Sequence, residues 1–535
     1  MPFALGLLLL APLVMCGSTI DSDLMEVTIP QLESFYASHK YTVTQVVEWY
    51  LARIGKYNGI YRAIETVHKD DALAVADAED AAARQGGLTF HRGPMWGVPI
   101  VIKANTSIQG FVTTDGWKGF VIPGHELMAP ADATVVAKLK AAGAVIVGQT
   151  NMPDFAASDT NRSTSFGRTG NAYDVRFSPG GSSGGTVTAI TSNMAVMGTG
   201  TDTGNSIRMP SSTSSVVGVL PTRGLVSIAG IVPLDWLLDN TGPIARTVTD
   251  AAIALGVMAG EDPMDYRTAA VGSKAQPGPY TKYLKIDALK GKRIGVPTFI
   301  IKDENLRPET QAVFNSAIEG LRTAGATVVF DDSLLPPAFE ELIRAVDTRP
   351  YRLDGTQLFL KGYGPAQYHS VEEYLAVVGS PIPPVITAAG NRQDRAPVAQ
   401  VALFSDPQAD TNVYEPRKKA LAAYVEAFDK LQLDALVYPA AQMPPPDETM
   451  PQDGRISSGP HSQTGWVNKI GTPAIVVPGG FYASGLPFGI ELAARPWKDG
   501  DLLGYAYAFE QATKFRKPPV LVERGLLPAT VALRR

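Results

Sequence analysis

The chain has 535 residues, 45% hydrophobic and 19% charged, with a formal net charge of -5 and both signs mixed along its length. That balance belongs to a globular chain with a large core, and the length alone allows two to four domains. Nothing in it suggests nucleic-acid binding, which normally leaves a basic patch in the sequence.

In chain order, the first feature is a nearly unbroken apolar run at residues 4–14, followed by the small residues Cys16, Gly17 and Ser18. It is too short to span a membrane. It predicts a signal peptide over residues 1–18 and a secreted or exported protein, although no Lys or Arg precedes the run. A retained N-terminal helix and a lipid attachment at Cys16 are the alternatives. Cys16 is the only cysteine, so a mature chain has neither a disulfide nor a thiol nucleophile.

Thr42-x-x-Gln45 reads as a capping box. Val46, Val47, Tyr50, Leu51 and Ile54 follow on one face, which predicts a helix over 43–55. Residues 70–85 are Ala-rich, acidic at the start and followed by Gly86 and Gly87, again a helix. Residues 96–102 read as a strand, 134–142 as a helix and 144–147 as a strand. The pattern L-x-x-A-G-A-x-[IV] occurs at 139–146 and again at 321–328, with Gly143 and Gly325 placed as helix C-caps. Either an old repeat or a common helix–strand connection explains it. Residues 187–191 predict one or two helical turns, and 194–197 a short buried strand. Residues 261–290 read as a polar surface connection, and 381–384 and 444–446 as Pro-rich loops. Helices alternating with apolar strands mean an α/β fold with a largely buried sheet.

The densest signal is residues 178–210. Two Gly/Ser-rich loops, 180–185 and 200–206, flank a short apolar segment. The serines suggest a nucleophile. There is no G-x-S-x-G, none of the six histidines lies in the stretch, and neither phosphate-binding glycine motif is present. A serine still needs a base. Lys103 ends the apolar run 97–103, and partial desolvation there lowers a lysine's pKa. Taken alone, G-G-S-S-G-G is an ordinary turn or linker, and Lys103 a lysine reaching from a strand end to water. Their occurrence together, with a second serine block, reverses that weighting.

Residues 97–103, 178–185 and 200–210 resemble the three signature blocks of the amidase signature hydrolases. Weaker blocks resemble the same family in its order: G-Q-T-N-M at 148–152, G-x-x-x-N-x-x-D at 167–174, and further segments at 289–296, 468–480 and 485–492. The resemblance runs from Ser34 to Thr513. It implies the amidase signature fold, a large mixed twisted β-sheet covered by helices on both faces. One domain over 19–535 is expected, with a variable section from about 300 to 430. The resemblance further implies Ser206 as nucleophile, Ser182 as a bridging serine behind a cis bond from Gly181, and Lys103 as base. The N–H groups of Thr203, Gly204, Asn205 and Ser206 match an oxyanion hole. Ser183 is a supporting residue, and Asp202 with Arg208 reads as a structural ion pair.

Three positions depart from the family pattern. Asn205 stands where glycine is usual, and asparagine tolerates left-handed angles better than most residues. Ala104 follows the lysine where an aspartate is common. Ala172 stands where proline is usual. His125, His461 and the other histidines read as surface or loop residues.

The expected function is a serine amidase that hydrolyses the C–N bond of a small amide through an acyl-enzyme, releasing ammonia or an amine. No cofactor and no metal are expected, since no His/Cys cluster has ligand spacing. The expected partner is a small-molecule amide substrate, with no nucleic acid and no stable membrane span, the chain acting as a monomer or homodimer. Two rivals remain. A transamidase component of a tRNA-dependent amidotransferase fits the same family, but the apolar N-terminus argues against it. A non-catalytic binding relative is the other, and the retention of Lys103, Ser182 and Ser206 argues against that.

Overall fold

Apolar β-branched runs build the centre of the molecule. In the computed structural model, residues 19–86, 92–383, 385–387, 398–449 and 460–519 are described. The apolar segment 4–14, Cys16 and the expected cleavage region lie outside the described residues, as do Gly87 and Pro384. The strands are β1 (Ile64–Val67), β2 (Val98–Lys103), β3 (Ala144–Thr150), β4 (Arg162–Ser163), β5 (Gly167–Arg168), β6 (Met197–Asp202) and β7 (Val217–Leu220). They continue with β8 (Asn240–Ala245), β9 (Arg293–Val296), β10 (Thr327–Phe330), β11 (Ala435–Pro439), β12 (Ala474–Phe481) and β13 (Pro487–Ala493).

All but β4 and β5 form one sheet in the order β1-β3-β2-β6-β8-β7-β12-β13-β11-β9-β10. The sheet is mixed. β3, β2 and β6 run parallel, as do β11, β9 and β10, while the pairs between β6 and β11 are antiparallel. Strands β2, β3, β6, β7, β8, β11 and β13 are buried at every position. That is the pattern of a sheet covered on both faces.

The predicted helix at 43–55 is longer, spanning Val43–Tyr61, because Tyr57 and Tyr61 continue the buried face. Thr42 and Gln45 form the expected reciprocal cap. Asp80, from the helix Lys69–Gly86, also accepts from the N–H groups of Val43 and Thr44. Gly143 and Gly325 each follow a helix with positive φ, 91° and 96°.

Two expectations need correction. The strand read at 194–197 begins only at Met197 and runs to Asp202, through residues read as loop. A Cβ on Gly198 would lie 2.8 Å from the Val101 carbonyl and from a Thr186 methyl. Glycine is there to let a helix lie close on the sheet, and composition alone resembles a turn. Residues 261–290 are also not merely a polar surface connection. They include short helical turns at Tyr266–Ala270, Val271–Lys274 and Tyr280–Tyr283, and they bury Asp262, Asp265, Tyr280 and Leu289.

The helix that lies on those glycines is Gly184–Thr191, every residue of it buried. It carries three threonines, and each finds a partner. Thr186 Oγ1 reaches Thr150 Oγ1 at 2.7 Å, Thr188 donates to the Gly170 carbonyl, and Thr191 to the Ser214 carbonyl. Satisfied hydroxyls make such a helix tolerable in the interior.

Candidate active site

Because β2 and β6 are parallel neighbours, their C-terminal ends emerge at the same edge of the sheet. β2 ends at Lys103; β6 ends at Asp202 and passes into the turn Thr203–Ser206. This edge is where open α/β sheets place ligands. The third component is the segment that leads into the helix Gly184–Thr191. Residues 180–183 cross the same edge before entering the helix Gly184–Thr191.

The crossing depends on glycine at two positions. Gly180 has φ of +77°. A Cβ on Gly185 would lie 2.3 Å from the Asn151 carbonyl oxygen and 2.6 Å from that of Ala63, both backbone. The Gly181–Ser182 bond is cis, as the resemblance implies.

The structure brings Lys103 and Ser182 into contact, whereas Ser206 Oγ donates to Asn205 Oδ1 at 3.5 Å and, among the described residues, makes no hydrogen bond to Ser182. Lys103 Nζ lies 2.7 Å from Ser182 Oγ and 2.8 Å from Thr201 Oγ1. Ser183 N–H donates to the Ser206 carbonyl at 3.1 Å, and Ser183 Oγ to the Thr201 carbonyl at 3.3 Å. Lys103 and Ser182 have no exposed surface, while Ser206 keeps 5%. Only the last serine is at the wall of the site.

Burial pushes the Lys103 amine down to about 7, while the charges of Asp115, Asp202 and Asp239 pull the other way. The magnitude matters. A lysine in water keeps roughly one neutral amine in 10³ at pH 7, whereas one at about 7 is neutral about half the time. Loss of hydration supplies that gain.

The turn after β6 has an unusual hydrogen-bond record. Among the described residues, no acceptor takes the N–H of Thr203, Gly204, Asn205 or Ser206, whereas those of Ile207 and Arg208 both go to Asp202 Oδ2. Successive unclaimed amides at one turn are suited to an anion. Asn205 is not in the left-handed region, so the tolerance of asparagine for those angles is not what admits it. Its side chain has another place. Nδ2 donates to Asp159 Oδ1 at 3.1 Å and to Ser462 Oγ at 2.9 Å.

Asp202 and Arg208 form the expected ion pair, and it is larger than expected. Arg208 contacts Asp202 through Nε and Nη2, both at 3.1 Å, and Glu491 through Nη1 at 2.6 Å. It also donates to Asn468 Oδ1 and to the carbonyls of Gly204 and Thr464. All three charged side chains are fully buried. Burial alone raises a carboxyl, but Arg208 outweighs it at Asp202 and holds that group below the usual range. At Glu491 burial prevails and pushes the carboxyl up to about 7.

Sequence reasoning missed Thr201, Asn468, Glu491 and Asp239, whose Oδ1 accepts from Thr203 Oγ1 at 2.5 Å. Asn468 and Glu491 sit in segments that resemble the family, which was the available signal. His68 is buried and stacked on Phe111 at 3.8 Å. His461 lies 3.6 Å from Asp159 and half-exposed, beside the Asn205 contact.

A family model described as Amidase matches residues 45–503. The chain belongs to the amidase signature family. It is 31% identical over 502 residues to a glutamyl-tRNA(Gln) amidotransferase subunit from Alkaliphilus metalliredigens, covering 91% of this chain and 96% of that protein. The corresponding protein of Thermosynechococcus vestitus is 32% identical, with 89% and 96% covered. Among solved structures, the native peptide amidase of Stenotrophomonas maltophilia matches with a TM-score of 0.76 at 29% identity, over 92% of this chain and 98% of that one. An amidase family protein from Bacillus anthracis gives 0.75 at 25% identity, over 94% and 95%. The mixed sheet with helices on both faces is the fold of these amidases, and amide C–N cleavage is the family's general chemistry.

The buried ion-pair network makes a testable demand on this fold. Arg208→Met leaves Asp202 charged and unpaired in the interior, so it is expected to cost about 3–5 kcal/mol. Arg176→Met removes an exposed partner of Asp174 and is expected to cost under about 1 kcal/mol. Urea unfolding of both variants measures the difference. Equal, small losses would show that the Arg208 network does not hold the site together.

Proposed function

We propose that this chain is a serine amidase acting through Ser206, Ser182 and Lys103. The observation that carries the reading is the 2.7 Å contact between the buried Lys103 amine and Ser182 Oγ. A neutral Lys103 takes the proton of Ser182, which takes that of Ser206. Ser206 Oγ attacks the amide carbonyl, and the oxyanion is received by the amides of Thr203, Gly204, Asn205 and Ser206. The relay then runs backward and protonates the leaving amine. Water repeats the cycle on the acyl-enzyme. Linear amides are the substrate class in this reading.

A second reading has its own support. The curated relatives named above are subunits of glutamyl-tRNA(Gln) amidotransferases, and this chain could likewise serve as one component of a larger enzyme. The two readings separate on one assay. The purified chain alone is expected to release ammonia or amine from small amides; turnover only with added partner proteins and glutamyl-tRNA(Gln) would favour the second. The first reading includes export, which rests on the apolar run at 4–14. N-terminal sequencing of protein from its host is expected to begin at residues 17–19, and an intact Met1 overturns that part.

Ser206→Ala is expected to abolish turnover with an unchanged melting temperature, and a fluorophosphonate to label Ser206 alone. Near-normal rates in that variant would remove the nucleophile assignment. For the base, the sign follows from Lys103. Its neutral form is the active one, so kcat/KM should rise with pH through a midpoint near 7. Lys103→Ala should lose this limb and roughly 10²–10⁴ in amide hydrolysis. It should lose less on activated esters, whose leaving groups need little protonation. Lys103→Arg should not rescue, because a guanidinium stays charged. Equal losses on both substrates would end the case for Lys103 as the acid that protonates the amine.

A further inference from the structure

Asn205 stands next to Ser206 where the family usually has glycine, and both ends of its amide are engaged. Nδ2 donates to Asp159 Oδ1 at 3.1 Å and to Ser462 Oγ at 2.9 Å, while Oδ1 accepts from Ser206 Oγ at 3.5 Å. The relay described above makes no use of this amide. Its donor end decides which way it faces. A carboxylate oxygen only accepts, so turning the amide over would set Oδ1 against Asp159 and lose that contact. An acceptor, and not a donor, is therefore presented to Ser206.

Asp159 and Ser462 are themselves seated on the catalytic segments. A Cβ on Gly181, the residue before Ser182, would lie 2.6 Å from the carbonyl oxygens of both Ser158 and Thr160. The loop that carries Asp159 thus packs on the crossing that carries the bridging serine. Ser462 Oγ accepts from Thr464 Oγ1 at 3.3 Å, and the Thr464 carbonyl accepts from Arg208 Nη1 at 3.1 Å. A Cβ on Gly465 would lie 3.5 Å from the Gly204 carbonyl oxygen, so this loop lies on the turn before Ser206. The turn is open at Gly204 itself, where a Cβ would meet nothing within 4 Å.

At 3.5 Å the hold on Ser206 is long; two oxygens in a good hydrogen bond are about 2.7–2.8 Å apart. Ser206 gives it up at little cost, and the relay requires that it does. Its hydroxyl must turn to Ser182, and that move leaves Asn205 Oδ1 without a donor. The carbonyl carbon that Ser206 Oγ attacks carries the scissile nitrogen, so this nitrogen arrives within two bonds of Oγ, on which Oδ1 is already aimed.

We propose that Asn205 is a specificity-determining residue, its Oδ1 accepting the N–H of the scissile amide in place of the Ser206 hydroxyl, so that the enzyme selects primary and N-monosubstituted amides over N,N-disubstituted ones. The proposal rests on the reading of Ser206 as nucleophile. One donor is exchanged for another, and the nitrogen lone pair stays available for the proton that the relay returns. A substrate without an N–H leaves Oδ1 unpaired. Asn205 is half-buried, so water relieves part of that loss, and the discrimination is expected at about tenfold rather than at the level of a closed site.

The test follows kcat/KM for butyramide, N-methylbutyramide, N,N-dimethylbutyramide and p-nitrophenyl butyrate in wild type, Asn205→Gly, Asn205→Leu and Asp159→Asn. Asn205→Gly restores the usual residue, and Asn205→Leu keeps the bulk while removing the acceptor. The preference for the two N–H amides over the dimethyl amide is expected to fall about tenfold in both, with a smaller change on the ester. A fall in Asn205→Gly alone means that Asn205 acts through its bulk, and overturns the proposal, as does an unchanged preference in both. In Asp159→Asn the neighbouring amide offers an oxygen or a nitrogen, so Asn205 is free to turn and the preference is expected to fall with Asn205 itself intact. That variant decides if both Asn205 variants fail to fold, and a preference retained there then overturns the proposal. A wild type that hydrolyses the ester but none of the amides keeps Ser206 as nucleophile and removes the N–H acceptor. One that hydrolyses neither, and takes no fluorophosphonate at Ser206, ends the amidase reading and this inference together.

Discussion

The site depends on keeping water away from one amine. Lys103 is useful as a base only without its proton, and nothing near it favours that form except the loss of hydration; the surrounding acids Asp115, Asp202 and Asp239 all oppose it. Desolvation must therefore be complete, and the sheet supplies it. Lys103 ends a strand with β3 on one side and β6 on the other, both buried throughout. The helix Gly184–Thr191 closes the face above. A surface loop carrying the same lysine would leave its amine charged, with roughly a thousandth of the base.

A buried base also needs its partners to stay where they are, and this is the work of Arg208. The turn that carries Ser206 has few internal hydrogen bonds, since among the described residues nothing accepts from its amides at Thr203 to Ser206. It is shaped instead from below. Asp202 Oδ2 takes the next two N–H groups, Arg208 grips Asp202 and the Gly204 carbonyl, and Asn468 takes the Asp202 carbonyl. Glu491, itself bonded to Tyr438, accepts from Arg208 Nη1 on the far side of the guanidinium from Asp202's contact through Nε. The arrangement leaves the turn's donors free by satisfying its acceptors. That division is what a preorganised anion site requires, because donors already committed to the protein cannot serve an oxyanion.

What could be read from the chain and what could not follow the same physics. The blocks at 97–103, 178–185 and 200–210 were legible because tight backbone approach and a serine-rich crossing demand unusual local composition. Helix caps at Thr42 and the Gly143 and Gly325 ends were legible for a similar reason, being short-range. The strand Met197–Asp202 was misread because Gly198 and Gly200 look like turn residues, while their purpose is to admit a helix and Ser183 against the sheet. Glu491 and Asn468 lie 283 and 260 residues from Arg208. A single acid or amide at that distance carries no local pattern, so only the fold reveals the pairing.

Asn205, a departure from the family pattern, uses both ends of its amide: Oδ1 accepts from Ser206 Oγ at 3.5 Å, and Nδ2 donates to Asp159 and Ser462. Its backbone does not need the left-handed angles that glycine permits, so the side chain costs the turn no such strain. That side chain ties Asp159 to Ser462 directly beside Ser206, and His461 approaches the other oxygen of Asp159. Two loops far apart in sequence are thereby joined across the turn that carries Ser206. The free amides of the turn are untouched by these contacts, because they use only the Asn205 side chain. The family-common machinery is thus built from the sheet edge and the Arg208 network, while this contact belongs to the rim above. A rim made from loop side chains can vary with substrate without moving the base, the bridging serine or the amides, which are all fixed by buried backbone.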